Sequence, residues 1–263
     1  ATDLKNGRLV VFPTETVYGL GANALDDSAV QRIFWAKERP SDNPLLVHIA
    51  NQNQLKKLVK KIPSKAKKLM KKFWPGPLTI VFQKKPAVPG SVTAGLSTVG
   101  IRFPSHRIAQ KLIQLSNVPI AAPSANIAGS PSATHARHAV ADLLKKVDWV
   151  IDSGPAQIGI ESTIVDCTKK IPVLLRPGKI SVEELQSVIG KIAVSSKLKG
   201  IPKAPGMKYR HYAPKAKVLV VDSAKLGKKI KLIKKKVLVL AIRQKILVAK
   251  NRLVFKFDSP NQM

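Results

Sequence analysis

Short apolar runs, each broken by polar or turn-forming residues, set the rhythm of the first two thirds of the chain. They are "LVVF" (9–12), "LLVHIA" (45–50), "LTIVF" (78–82), "TVGIRF" (98–103), "VPIAA" (118–122), "WVIDSG" (149–154), "STIVDC" (162–167) and "PVLLRP" (172–177). Their β-branched content and length of four to six residues predict buried strands. Between them the period changes. "SAVQRIFWAK" (28–37) puts Val30, Ile33 and Phe34 on one helical face, and "NQLKKLVKKI" (53–62) does the same with Leu55, Leu58 and Val59. Ser181 followed by Glu184 forms a capping-box pattern that predicts another helix start. Strands and helices mixed without strict β-α-β alternation predict an α/β (α+β) fold on a partly antiparallel sheet.

The pattern shifts near Gly190. "SSKLKGIPKAPGMKYRHYAPKAK" (195–217) is rich in Pro, Gly, Ser and Lys and has no apolar period, so it reads as a linker. Beyond it, "KVLVVD" (217–222), a lysine-rich helix and "KVLVLAI" (236–242) look like the opening β-α-β of a small second module. The expected boundaries are therefore 1–190, 191–215 and 216–263. The last segment is short for an autonomous fold and is expected to be partial or to lean on the first domain. No internal repeat is visible.

Composition narrows the class. The 263 residues are 44% hydrophobic, and their mean hydropathy is near zero. Both values fit a globular protein, not a membrane span. Cys167 is the only cysteine, so no internal disulfide is possible, and a cytoplasmic location is the default expectation. The chain opens on Ala1, and its natural start is expected upstream. Charge is the outlier: 46 basic residues against 15 acidic ones give +31. Only 10 of the 46 are arginines, and the lysines are spread along the chain. Weak electrostatic attraction to RNA is expected, rather than dedicated base reading, which favours arginine.

Candidate chemistry sits where strands stop. In "FPTETVYGLG" (12–21), Pro13 has no N–H for a ladder, and two threonines flank a glutamate at a strand end, where α/β proteins bind ligands. "GLGANA" (19–24) matches G-x-G-x-x-A, yet "PTETVY" intervenes after the strand and no later strand ends in a ribose-reading carboxylate. A dinucleotide fingerprint is rejected. His135 and His138 in "HARH" lack a neighbouring Glu or Cys pair, and no metal site is expected. In "KERPSDNPL" (37–45), Lys37 and Arg39 precede Pro40 in a rigid loop that suits a triphosphate, although cations also favour any helix C-terminus. "APSAN" (122–126) ends another strand with Ser124 and Asn126, and Thr98, Arg102, Ser162 and Arg176 interrupt three more. Repetition of this kind implies a shared polar cavity for an anionic ligand. No Ser–His, Cys–His or paired-carboxylate pattern accompanies it, so the expected chemistry is positioning and charge neutralisation, as in nucleotidyl transfer.

Taken in order, "FPTETVYGLG", "KERPSDNPLLVHI", "WPGPLT", "STVGIRFP", "VPIAAPSAN", "GIESTIVD" and "LLRPG" closely resemble the YrdC-type threonylcarbamoyl-AMP synthases, from about residue 7 to 190. "APGMKYRHYAP" resembles the interdomain linker of the two-domain members, whose C-terminal domain is Rossmann-like. Against those members the C-terminal module here is short, and the charge is more basic than the family needs. The resemblance implies a YrdC-like twisted mixed sheet with flanking helices. It also implies condensation of L-threonine, bicarbonate and ATP, with Mg²⁺, into threonylcarbamoyl-AMP and pyrophosphate. That product would feed the machinery making threonylcarbamoyladenosine on tRNA.

The family's K-x-R and S-x-N signatures fall on Lys37/Arg39 and Ser124/Asn126, which would form the catalytic set. By the same resemblance Thr14, His48, Arg102 and Ser162 would hold threonine, with Tyr18 shaping its pocket. Lys37, Arg39, Asn43, Thr98, Ser124, Ser132 and Arg176 would hold ATP, and Tyr209, His211 and Tyr212 would cover the nucleotide. Two rivals are weighed. A non-catalytic YrdC-like RNA-binding module would let the two signature pairs decay, yet both survive. A hydrogenase-maturation carbamoyltransferase would carry acylphosphatase and zinc-finger regions, which do not occur here.

Overall fold

The computed structural model describes residues 1–195, 202–207, 237–242 and 252–257. Contacts divide the chain into two compact units, Ala1–Ala213 and Pro214–Met263. In the first, the order is α1 (Thr2–Lys5), β1 (Val10–Phe12), β2 (Gly19–Asn23), α2 (Asp27–Lys37), β3 (Leu46–His48), α3 (Gln52–Leu58), α4 (Ser64–Phe73), β4 (Leu78–Gln83) and α5 (Gly90–Thr93). It continues with β5 (Thr98–Arg102), α6 (Arg107–Ser116), β6 (Ile120–Ala121), α7 (Ala136–Leu143), β7 (Trp149–Val150), β8 (Thr163–Asp166), β9 (Val173–Arg176), α8 (Val182–Ile189) and β10 (Ala193–Val194).

The strands form one ten-stranded mixed sheet in the order β10-β9-β8-β4-β5-β3-β6-β2-β1-β7. Each of the eight apolar runs contributes a strand, and the sheet mixes parallel pairs such as β3/β5 with antiparallel ones such as β4/β5. Alternation along β1 sorts its side chains between the two faces. Leu9 and Val11 join a large cluster with residues of α2, α3, α4 and α8, while Val10 and Phe12 join Leu4 of α1 and Ile113 of α6.

Two of the departures from the sequence expectation have a physical reason in the packing. The strand β2 was not predicted, because Gly19, Gly21 and Ala22 are weak strand formers. Here tertiary packing decides: a Cβ on Gly21 would lie 2.8 Å from Ile120 Cγ2 and from Phe12 Cε1, so only glycine lets β2 lie between β1 and β6. The helix expected over 53–62 ends at Leu58, since Val59 turns extended and bridges Lys84, and Lys60 N donates to Gln83 O. By contrast, α8 begins on the predicted capping box, with Ser181 and Glu184 exchanging backbone bonds.

Register brings polar residues to one end of the sheet. His48 pairs with Arg102 across β3/β5, Thr79 pairs with Arg102 across β4/β5, and Ile164 pairs with Arg176 across β8/β9. The loops after β1 and β6 leave nearby, where Leu20 N bonds Pro123 O and Ala125 N bonds Tyr18 O.

In the second unit, β11 (Val237–Ile242) and β12 (Arg252–Phe257) pair in parallel, from Val237 opposite Arg252 to Ile242 opposite Phe257. The predicted "KVLVLAI" strand is β11. "KVLVVD", the lysine-rich helix, Tyr209, His211 and Tyr212 lie outside the described residues.

Candidate active site

Pro13 ends β1, and the next five residues fold on their own hydroxyls. Thr14 Oγ1 donates to Val17 O at 2.6 Å, accepts from the N–H groups of Thr16 and Val17 at 3.3 Å, and lies 2.9 Å from Thr16 Oγ1. This is the local hydroxyl-to-backbone pattern that competes with a strand ladder. Thr16 Oγ1 in turn accepts from Arg102 Nη1 at 2.9 Å, and Arg102 Nε donates to Gly76 O at 3.4 Å. Completing the arrangement, Arg102 Nη2 stands 2.7 Å from Glu15 Oε1. Burial alone would raise the Glu15 pKa, but the Arg102 charge, together with hydrogen-bond donors around the carboxylate that include the backbone near Ser105, outweighs burial and holds the carboxyl below its usual range.

His48 is buried beside the same guanidinium. Burial, with Arg102 second, pushes its pKa down to about 3, so the ring is neutral near pH 7. The His48 Nδ1 atom is buried and has no partner among the described residues. It can serve a ligand as a neutral hydrogen-bonding group, not as a cation.

On the opposite wall, Ser162 Oγ lies 2.7 Å from Thr79 Oγ1. Arg176 reaches back across β8/β9 to donate to Ser162 O at 2.9 Å and Ser162 Oγ at 3.2 Å, and its Nη1 meets Pro205 O at 3.4 Å. Gly178 permits the return: a Cβ there would stand 2.4 Å from Thr163 N and 2.6 Å from Glu161 O.

The K-x-R pair divides its work. Lys37 is fully buried; its ammonium donates to Ser124 O at 2.5 Å and also to Asn126 O. Burial first, and the neighbouring Arg39 second, bring its pKa down to about 7, with Asp142 and Glu161 opposing. Arg39 donates through Nη2 to Asn43 O at 3.2 Å and Pro44 O at 3.0 Å, bracing the loop that Pro40 stiffens. Ser124 Oγ donates to Asn126 Oδ1 at 2.5 Å, and Asn126 Nδ2 donates to Ile127 O and Ser130 O. One loop is thus tied to the other through Lys37.

These walls line an open cleft. Of the residues singled out in the sequence, Thr14, Tyr18, Arg39, His48, Arg102, Ser124, Ser162 and Arg176 line it. Lys37, Asn43 and Asn126 stand behind it as supports. Ser132 touches it only through its bond to Glu161. Thr98 is not brought to it: it begins β5, four residues and about 13 Å from Arg102. Tyr18 shapes the wall, but its hydroxyl points away, donating to Gly154 O at 2.6 Å. Thr16, Glu161 and Pro205 also line the cleft and were not read from the sequence. Glu15, flanked by two threonines at the end of an apolar strand, has no cation near it in the sequence; a carboxylate at the end of a buried strand calls for a buried cation, and that was the available signal.

Among the described residues no nucleophile–base dyad faces the cleft. A Ser–His approach does occur, Ser153 Oγ to His106 Nε2 at 3.4 Å, but His106 Nδ1 accepts from Ile108 N. The neutral ring therefore carries its proton on Nε2 and cannot act as a base toward Ser153. Cys167 is equally inert, its thiol pushed up to about 12 by burial and by Asp166. Among the described residues no group of three or more His, Cys, Asp or Glu side chains could hold a metal ion, and no helix is long and apolar enough to cross a membrane.

Comparison with known proteins agrees with this fold. The Sua5–YciO–YrdC family model, described as "Telomere recombination", matches residues 2–178, and one described as "Threonylcarbamoyl-AMP synthase, C-terminal domain" matches 180–261. The threonylcarbamoyl-AMP synthase of Pyrococcus abyssi is 57% identical over 223 residues, which cover 83% of this chain and 66% of that protein. The Bacillus subtilis synthase is 52% identical over 225 residues, covering 84% of this chain and 65% of its own length. The chain thus spans slightly under two thirds of these relatives. The crystal structure of P. abyssi Sua5 complexed with L-threonine superposes with a TM-score of 0.90 at 49% identity, covering 98% of this chain and 79% of that one.

Proposed function

The chain belongs to the Sua5–YciO–YrdC family, and from that premise we propose that it condenses L-threonine, bicarbonate and ATP into threonylcarbamoyl-AMP and pyrophosphate. The observation that carries the reading is the convergence of Arg39, Arg102 and Arg176 with the hydroxyls of Thr14, Ser124 and Ser162 on one cleft. A cation-rich, hydroxyl-lined cleft, with no nucleophile–base dyad among the described residues, suits two anionic substrates brought together for in-line transfer.

In this reading Arg102, pre-aligned by Glu15 and Thr16, takes the threonine carboxylate, with neutral His48, Thr14 and Ser162 completing that pocket. Arg39, Ser124 and Arg176 take the nucleotide, and Lys37 holds the Ser124–Asn126 loop against it. Threonine's amine adds to bicarbonate with loss of water, giving N-carboxy-threonine. Its carbamate oxygen attacks the α-phosphorus, and the P–O bond to pyrophosphate breaks. Mg²⁺ would arrive with ATP as the MgATP substrate and would offset charge on the leaving pyrophosphate. The product would pass in the cytoplasm to the machinery that modifies tRNA.

Pyrophosphate release by the purified chain tests the proposal. Release should require threonine, bicarbonate and MgATP together, with a threonylcarbamoyl-AMP adduct detected by mass spectrometry. Equal release with serine, or without bicarbonate, overturns it.

A further inference from the structure

Helix α2 packs on the core through one side. Ala29, Val30, Ile33, Phe34, Ala36 and Lys37 are buried, while Gln31, Arg32 and Trp35 are exposed. Trp35 is 69% exposed, more than any other large apolar side chain among the described residues. The helix itself gains nothing from an indole there, since Ala, Glu or Lys suits an exposed helical position better.

Arg32, Trp35 and Glu38 follow at three-residue spacing and form one ridge. Both charged ends are anchored by the chain segment beside the helix. Arg32 Nη2 meets Asp148 Oδ2 at 2.9 Å, and Lys146 Nζ meets Glu38 Oε1 at 2.6 Å. The anchored groups still reach solvent, with 46% of the Arg32 side chain and 64% of the Glu38 side chain exposed. Leu144, also exposed, stands two residues before Lys146. An open tryptophan between two ordered charges of opposite sign has the make-up of a contact centre with a polar rim.

The order of the charges selects the occupant. With Trp35 midway, a two-fold axis at the indole brings Arg32 of each copy opposite Glu38 of the other, about 4.5 Å of helix rise to either side. Two antiparallel copies of the ridge are therefore complementary without any further group. Net charge points the same way. Copies of a chain carrying +31 repel one another over most of their surface. Here charge balances: three of the five ion pairs among the described residues, Arg8–Asp3, Arg32–Asp148 and Lys146–Glu38, lie on or beside this face. Arg32 Nη1 also donates to Gly7 O at 3.0 Å, which ties the α1 turn to it. Carboxylates beside the indole suit neither an anionic lipid surface nor a nucleic-acid backbone.

We propose that the α2 ridge is a self-association surface, on which a second copy of this chain packs antiparallel with the two Trp35 rings in contact. A single helical ridge is smaller than a standard interface, so the dimer is weak, with a dissociation constant on the order of 100 µM.

Sedimentation equilibrium of the full chain from about 5 to 500 µM, spanning that constant, tests the proposal. Masses should fit a reversible monomer–dimer equilibrium, and Trp35→Gln should weaken it at least about 10-fold. Arg32→Glu and Glu38→Lys should each weaken it too, because each leaves like charges facing across the axis. Mixed in equal amounts, these two variants should recover a dimer, since an acidic ridge then faces a basic one at both ends. Recovery also shows that both variants fold, as expected when only an exposed intramolecular pair is lost. A chain that stays monomeric at the highest concentration, a dimer indifferent to Trp35→Gln, or charge variants that do not recover each other overturns the proposal. So does growth beyond the dimer, which a head-to-tail contact would give.

Discussion

Glu15 and Arg102 stand 2.7 Å apart with 3% and 4% of their side chains exposed, one in the loop after β1 and the other at the end of β5. The pair fixes a guanidinium at the cleft before any ligand arrives. With Thr16 Oγ1 and Gly76 O also on Arg102, little ordering is left for substrate binding to supply.

Removing one partner should therefore expose the cost of the other. Glu15→Gln leaves a buried guanidinium uncompensated, and about 3–5 kcal/mol of stability should be lost in denaturant titrations. Threonine affinity should fall in the same variant while ATP affinity holds. Glu15→Asp should restore threonine binding in part, which a purely structural defect would not do.

The pair also sets an acid limit. Glu15 is held below its unfolded value near 4.5, so the folded state binds fewer protons there than the unfolded chain. The stability it contributes is present above that value and is lost as pH falls through the lowered one. Urea midpoints of the natural chain should drop below pH 4.5 more steeply than those of Glu15→Gln. Parallel slopes would assign the acid transition to other carboxylates.

Lys37 behaves in the opposite sense to a surface lysine. Its pKa falls from 10.5 to about 7 in the folded chain, so between these values the unfolded state binds the extra proton and stability rises with pH. Lys37→Met should flatten that rise. It should also free the carbonyls of Ser124 and Asn126, so ATP binding measured by calorimetry should weaken even where melting shows a folded protein.

Arg39→Ala should weaken ATP binding about 10- to 150-fold, the equivalent of a charge-assisted contact of roughly 1.5–3 kcal/mol. Arg39→Lys should recover little, because one ammonium cannot span the carbonyls of Asn43 and Pro44 while also facing the nucleotide. An unchanged ATP dissociation constant in either folded variant would remove Arg39 from the nucleotide site.

Gly178→Ala should cost about 1–3 kcal/mol, as overpacking does. The added Cβ would meet backbone atoms of Glu161, Ser162 and Thr163, which no rotamer change relieves. Because Ser162 and Arg176 share that crossing, the midpoint of thermal melting and ATP affinity should fall together. Loss of stability alone would show that the crossing only braces the sheet.

Local pattern alone determined most of the elements. The eight apolar runs became strands because β-branched stretches of that length bury well in a sheet, and Ser181 and Glu184 start α8 because a capping box satisfies orphan N–H groups within four residues. Those signals are complete within a few positions. The polar interruptions at Thr14, Arg102, Ser124, Ser162 and Arg176 were legible for the same reason, since each stands at or beside an apolar run, and Arg39 was legible as a cation in a loop that Pro40 stiffens. What only the tertiary structure decided involves partners far apart in the chain. Gly21 lies in a strand because Phe12 and Ile120 leave no room for a Cβ. Lys37 supports the cleft rather than lining it because its ammonium is captured by carbonyls more than eighty residues away. Thr98 and Arg102 share one strand yet only Arg102 reaches the cleft, since four residues of extended chain separate them by more than a side chain can span. Glu15 acquired a role only when β5 delivered Arg102 beside it, for a buried charge is defined by its partner and not by its neighbours in sequence.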